Sequence, residues 1–287
     1  MSCKSADANA DGIVSLRDWQ RKRLPVLRDM NFASSRHVDS VTIVAYSFPE
    51  EDEGEAFEFV ECAIRQAWFV LGMLKTTVVV HRRFPKVDAF ASECANWVDV
   101  QVEPSLVPGN IESMSADCGE RLHLRFTTPY CLVVQDDGFP LQDNLEEFLG
   151  KYDYVGAPYV RIAWWRSIIC AVLGMWVSNG GFSLRSKRIC EAAAYWWARK
   201  YKACHPCEKT VDDLYYTKTL PLQHLPYRLK FNLADHKTAL RFSYDDIVDQ
   251  PIKALPLGFH RASTFETLQQ KGLLSCSIFG ERPQSPC

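Results

Sequence analysis

The feature that most restricts the fold is a recurrence of short β-branched runs separated by stretches of helical period. "SVTIVAYSF" at 40–48 and "TTVVVHRRF" at 76–84 fit a pleated, buried surface. Between them "AFEFVECAIRQAWFVLGML", from about 56 to 74, places apolar side chains at helical spacing. "WVDVQVEP" at 97–104 reads as a third strand, "SADCGERLHLRFTT" as a helix or turn, and "CLVVQ" as a fourth strand. Strands alternating with helices imply an α/β fold whose mostly parallel sheet is covered by helices on both faces. In such sheets the ligand crevice lies beyond the carboxyl ends of the strands.

The fourth strand runs straight into two carboxylates, in "YCLVVQDDGFPL" at 130–141. Burying carboxylates there is costly unless something positive offsets them. A divalent cation would do so, because Mg²⁺ and Mn²⁺ accept one or two carboxylates together with substrate phosphates. The plainer alternative is an acidic turn in which Asp136 or Asp137 bonds the backbone, helped by Gly138 and Pro140.

With 287 residues, 47% of them hydrophobic, the chain can bury a large core. Thirty-three basic against 35 acidic residues leave a net charge of −2, so no global field recruits nucleic acid or an anionic membrane. Eleven cysteines without regular spacing, and an N-terminus without an apolar signal core, read as a reduced, cytoplasmic protein. The longest apolar run, "SIICAVLGMWV" at 167–177, is about half of the roughly 20 residues a membrane span needs. No P-loop, G-x-S-x-G or G-x-G-x-x-G is present, which argues against the corresponding NTPase, hydrolase and dinucleotide enzymes.

In order along the chain, "VVQDDGFPL", "YDYVGAPY", "SNGGFSLRSK", "VDDLYY", "ALRFSYDD" and "LPLGFH" resemble a poorly characterised family of GT-A-type glycosyltransferase-like proteins. The resemblance covers roughly 40–265 and implies a Rossmann-like GT-A domain, at 39–275, between an N-terminal arm at 1–38 and a loose tail at 276–287. It implies transfer of a sugar from a nucleotide-diphosphate sugar to a hydroxyl of an unidentified glycan, protein or lipid acceptor, assisted by Mn²⁺ or Mg²⁺. Asp137 falls on the family's Asp-Gly position as a metal or diphosphate contact, with Asp136 in support, and His260 matches a late histidine that closes the metal site. Gln135 offers a neutral oxygen where many GT-A enzymes carry an acid. Asp213, with Asp212 as runner-up, matches an acidic pair near the acceptor and is the expected general base. An N-terminal helix cap is the equal alternative for that pair. Asn179, Gly180 and Gly181 are expected to shape the sugar pocket, or simply to make a turn into a strand. Arg185, in a basic cluster with Lys187 and Arg188, is expected either to meet diphosphate or to lie on a solvated face.

A second metal motif lies in the arm. "DANADGIVSLRD" at 7–18 resembles an EF-hand or dockerin loop, with Asp7, Asn9, Asp11, Ile13, Ser15 and Asp18 as calcium ligands. A flexible acidic arm is the alternative. The following helix is expected to stop at Pro25. The competing function is a non-catalytic module, calcium-responsive or carbohydrate-binding, on a GT-A shell. "CHPC" at 204–207 lacks a second cysteine pair and reads as coincidence.

Overall fold

The computed structural model describes residues 13–32, 37–50, 53–72, 74–158, 178–200, 230–245 and 254–274. Six strands form the central sheet: β1 (Val41–Ser47), β2 (Thr76–Val80), β3 (Val98–Val102), β4 (Tyr130–Val134), β6 (Tyr154–Pro158) and β7 (Ser178–Ser186), in the order β3-β2-β1-β4-β7-β6. The first four are mutually parallel and β7 runs antiparallel to both β4 and β6. A smaller sheet sets β5 (Gly138–Pro140) and β8 (Ser243–Asp245) on either side of β9 (Gly258–His260). The expected mostly parallel α/β sheet is therefore present.

β1 and β2 are buried at every position, which is why they read as unbroken apolar runs instead of alternating ones. One face is covered by α1 (Leu16–Arg28), α2 (Glu53–Leu71) and α3 (Pro85–Glu93), whose Leu27, Ile64, Trp68 and Phe90 join Ile43, Val78 and Leu132 in the larger core. The opposite face packs α4 (Ile111–Glu120) and α5 (Lys187–Lys200), through Met114, Cys118, Ile189 and Cys190, against Val44, Val79 and Val133. Helices cover both faces, as the sequence predicts. Two further helices, α6 (His236–Phe242) and α7 (Ala262–Gln270), flank the small sheet. Cys62, Cys94, Cys118, Cys131 and Cys190 are buried free thiols.

Strand order fixes the crevice. The chain steps outward from β1 to β3 and then crosses back to place β4 on the other side of β1. This reversal opens a switch point at the carboxyl ends of β1 and β4, where Asp136 and Asp137 emerge.

The N-terminal segment departs from expectation. α1 does not stop at Pro25 but continues to Arg28. Pro25 removes the donor for the Arg21 carbonyl, yet both residues lie on the exposed side, where water can donate to that oxygen instead. The opposite side holds the helix down through Leu24 and Leu27. Arg28 grips Glu61 of α2 with two bonds, of 2.9 and 2.6 Å, and Arg65 reaches the same carboxylate at 2.7 Å. Residues 16–28 are thus a packed element of the domain. The tail beyond 274, the apolar run at 167–177 and the C-x-x-C at 204–207 lie outside the described residues.

Leu27→Ala tests this integration. Removing a fully buried leucine should cost about 3 kcal/mol of global stability in urea unfolding. An unchanged single transition would show α1 to be an accessory.

Candidate functional site

The site is assembled from strand ends and one bulge. Antiparallel pairing of β7 with β6 shifts register between Gly156 and Pro158, which leaves Asn179–Phe182 out of register with β6 while Phe182 stays paired with Val134 at the end of β4. Bulges re-aim side chains in this way next to active sites. Gln135 N–H donates to the Gly181 carbonyl at 2.9 Å, tying the end of β4 to that bulge. β9 then presents His260, which pairs with Gly138 in register.

His260 is the hub. Its Nε2 lies 3.0 Å from Asp137 Oδ1 and 3.0 Å from Gln135 Oε1, while Nδ1 faces Asp245 Oδ1 at 3.8 Å. Asp245 is held in turn by Asn179 Nδ2, which donates to its Oδ2 at 2.7 Å, and by Arg261 Nε, 2.9 Å from Oδ1. Asn179 Oδ1 accepts from Gly181 N–H at 2.8 Å and closes the ring. Arg261 follows His260 at φ +79°, a conformation that costs a non-glycine residue about 1–3 kcal/mol. Its N–H donates to the Asp137 carbonyl at 3.1 Å.

Electrostatics follow from burial and pairing. Burial alone would depress the His260 pKa, but the Asp137 and Asp245 carboxylates outweigh it and push it up to about 9. For Asp137, burial works upward and is overcome by His260 and Arg17, so its carboxyl sits below the usual range. Asp136 is pinned by α1: Arg17 pairs with Oδ2 at 2.5 Å, and Gln20 Nε2 donates to its carbonyl at 2.6 Å. Arg17 also stacks 4.2 Å above the Phe59 ring.

The arrangement fits a cation. In the metal-free protein both 3.0 Å contacts of His260 Nε2 are ordinary hydrogen-bond lengths, and the fit rests on the donor set, an imidazole nitrogen, a carboxylate and an amide oxygen brought to one place. The space beside them exists because residue 181 is glycine. A Cβ there would lie 2.1 Å from His260 Nε2 and 2.6 Å from Gln135 Oε1. Gln135 brings a neutral oxygen into the same cradle.

The remaining expected residues fare differently. Asp137, Asp136 and His260 converge with Asn179, Gly180 and Gly181 at one end of the sheet. Asn179 is buried and spends its amide on Asp245 and Gly181. Arg185 presents no face to a diphosphate: it is fully buried, donates to Ser183 Oγ at 3.0 Å and to the Gly180 carbonyl at 3.3 Å, and lies over Tyr154. Lys187 donates to the His123 and Phe126 carbonyls, and Arg188, from an exposed position, clamps the buried Asp153, so these basic side chains brace the fold. Asp212 and Asp213 lie outside the described residues, as do Asp7, Asn9 and Asp11. Of the calcium-loop positions, Ile13 is half-buried, Ser15 caps α1 by accepting from Asp18 N–H, and the Asp18 carboxylate accepts from the Ser15 hydroxyl and from Arg21. Sequence reasoning passed over Asp245, Arg17 and Gln20. Asp245 was visible only as the first acid after "FS" in "ALRFSYDD".

Comparison with known proteins adds a family. A family model described as "Protein of unknown function (DUF5672)" matches residues 113–260, just over half of the chain. The chain belongs to that DUF5672 family. Its matched span runs from α4 through β4 and β7 to His260, the last residue of the hub. No curated protein matches the sequence of this DUF5672 chain. Among solved structures it is similar to the apo form of the glycosyltransferase GlyE of Streptococcus pneumoniae TIGR4, with 11% identity and a TM-score of 0.45, over 84% of this chain and 62% of that one. The galactosyltransferase LgtC, in complex with donor and acceptor sugar analogues, gives 12% and 0.49 over 86% and 97%. The mannosyltransferase PcManGT from Pyrobaculum calidifontis, in complex with GDP-Man and Mn²⁺, gives 11% and 0.36 over 61% and 53%. The DUF5672 chain thus spans less than two thirds of GlyE and of PcManGT. These neighbours are glycosyltransferases; TM-scores below 0.5 carry no functional argument. Among the described residues, no helix is long and apolar enough to cross a membrane.

Two outcomes are expected of the metal-free protein. A histidine whose pKa rises from 6.5 unfolded to about 9 folded contributes stability that is complete below pH 6.5 and lost as pH rises through 9. The loss, roughly 3 kcal/mol and counted once for the Asp137–His260 contact, should appear in urea unfolding with chelator present and vanish in His260→Gln. Gly181→Ala should lower stability by about 2 kcal/mol through overpacking against His260, and a neutral result would show the cradle to be open.

Proposed function

We propose that the chain is a metal-assisted glycosyltransferase that moves a sugar from a nucleoside-diphosphate sugar to an acceptor hydroxyl. One observation carries this reading: Asp137, Gln135 and His260 converge over the missing side chain of Gly181, at the switch point of a mostly parallel sheet. The motif resemblance supports it independently.

Asp137 and His260 would hold Mn²⁺ or Mg²⁺, with the Gln135 carbonyl oxygen beside them. A bound cation supplies Lewis-acid stabilisation of the charge that develops on a departing diphosphate. Asp245 acts behind His260, orienting the ring and compensating positive charge on it, as carboxylates do behind metal-bound histidines. Asn179 holds Asp245 in place and is a positioning residue in this scheme. Arg17 brings a guanidinium to the edge of the acidic pair, where a diphosphate oxygen could replace Asp136 as its partner. Asp213, with Asp212 as the second choice, is assigned as the base that takes the acceptor proton.

A second reading is a binding shell without turnover. It draws on Gln135, whose neutral oxygen weakens a cation site relative to a carboxylate.

Calorimetry with nucleoside-diphosphate sugars, with and without Mn²⁺, separates them. Wild type should bind one donor in a Mn²⁺-dependent manner, and Asp137→Ala should weaken that binding at least tenfold. Asp213→Asn should keep donor affinity and lose 10²- to 10⁴-fold in transfer. Mn²⁺-dependent binding with no transfer to any acceptor class would favour the shell. Absence of metal-dependent donor binding would sink the transferase reading.

A further inference from the structure

A second cluster of metal-ligating side chains lies at the other end of the sheet. His37, Asp143 and Glu146 each bring one ligand atom to within 4.8 Å of the others. His37 belongs to the turn that leads into β1, and its carbonyl accepts from Ser40 N–H at 2.9 Å and Val41 N–H at 3.0 Å. It therefore sits before the amino end of β1, whereas Asp137 and His260 lie past the carboxyl ends. A strand of this length separates the two places by roughly 20 Å.

The three side chains come from well-anchored backbone. Asp143 precedes the short 3₁₀ turn Leu145–Glu147 and Glu146 lies within it; Leu145 is fully buried and the turn is followed by the buried Phe148. The neighbouring Glu147 is committed elsewhere, to Arg241 and Asn144, which leaves Glu146 as the carboxylate directed at His37. His37 is 4% exposed, and its Nε2 stands 3.4 Å from Glu146 Oε1. A charge-assisted bond between imidazole and carboxylate closes to about 2.7–2.9 Å. A separation near 3.4 Å is what two ligands subtend when each lies about 2.1 Å from one tetrahedral ion.

We propose that His37, Asp143 and Glu146 form a second, structural site for a borderline divalent cation of the zinc type, distinct from the Asp137–His260 centre. One imidazole and two carboxylates suit Zn²⁺ better than Ca²⁺, which takes oxygen ligands, or a thiolate-seeking metal. Glu146 is about half exposed, so water completes the coordination from the solvent side. The ion ties the approach to β1 to the segment joining β5 with β6, two stretches more than 100 positions apart in sequence. Its role is to stabilise the sheet from below, not to take part in chemistry.

The test uses the full chain, stripped with chelator, in an Asp137→Ala background that silences the other centre, so that failure here and failure of the transferase reading are distinguishable. Titration with Zn²⁺ alone should show one equivalent bound and raise the melting temperature by about 5 °C at a hundredfold excess over Kd. Co²⁺ in its place should give a spectrum without a thiolate charge-transfer band, since none of the ligands is cysteine. Glu146→Gln, at a half-exposed position that tolerates change, and Asp143→Asn should each weaken binding at least tenfold, and His37→Gln should abolish it. Lack of Zn²⁺ uptake, a thiolate band, or binding unaffected by Glu146→Gln would overturn the assignment.

Discussion

A single buried imidazole organises the functional end of the molecule. His260 cannot be placed without Asp137 at the end of β4, Gln135 two residues earlier, Asp245 at the end of β8 and the bare backbone of Gly181 in β7. Four segments distant in sequence are thereby committed to one arrangement. The cost of burying His260 as a cation is offset only because two carboxylates face it, and those carboxylates tolerate their own burial because of the imidazole. The hub is therefore cooperative: removing any member strands the others.

The same logic explains why α1 belongs to the domain. Its inner face buries Leu24 and Leu27, which supplies the packing energy, while Arg28, Arg21, Arg17 and Gln20 point its polar groups at α2 and at Asp136. A carboxylate beside the Asp137 centre is thus neutralised by a residue from the beginning of the chain. Asp136 and Asp137 sit side by side without mutual repulsion dominating, since each has a cation of its own.

Strand identity was legible because β1 and β2 are buried throughout and rich in Val, Ile and Thr, and the parallel sheet followed from the alternation of strands with helices. Burial was less legible. Arg185 looks the same on paper whether it meets solvent or, as here, fills the space beneath the Gly180 carbonyl and Tyr154. Pro25 signals a helix end by local rules, and tertiary packing of its neighbours overrides them. Asp245 lies in the quoted "ALRFSYDD" but has no assignable role until β8 lies against β9 and brings it beside His260. Gly181 is crowded by His260 and Gln135, and which atoms approach it depends on β9, which the sequence does not align with β7.

The join between Val14 and Gln269 has a temporal meaning. Val14 N–H donates to Gln269 Oε1 at 3.2 Å and Gln269 Nε2 donates to the Val14 carbonyl at 2.8 Å, so the start of α1 and the end of α7 are sewn together. On a ribosome, β1, β2, β3 and β4 can pair, and α1 can pack on α2, once about half of this sequence has been made, but the join at Val14 waits for α7. Asp245 and His260 arrive equally late. A nascent chain therefore carries a preassembled sheet whose Asp137 still lacks His260, and acquires its functional centre and the last clasp on α1 together.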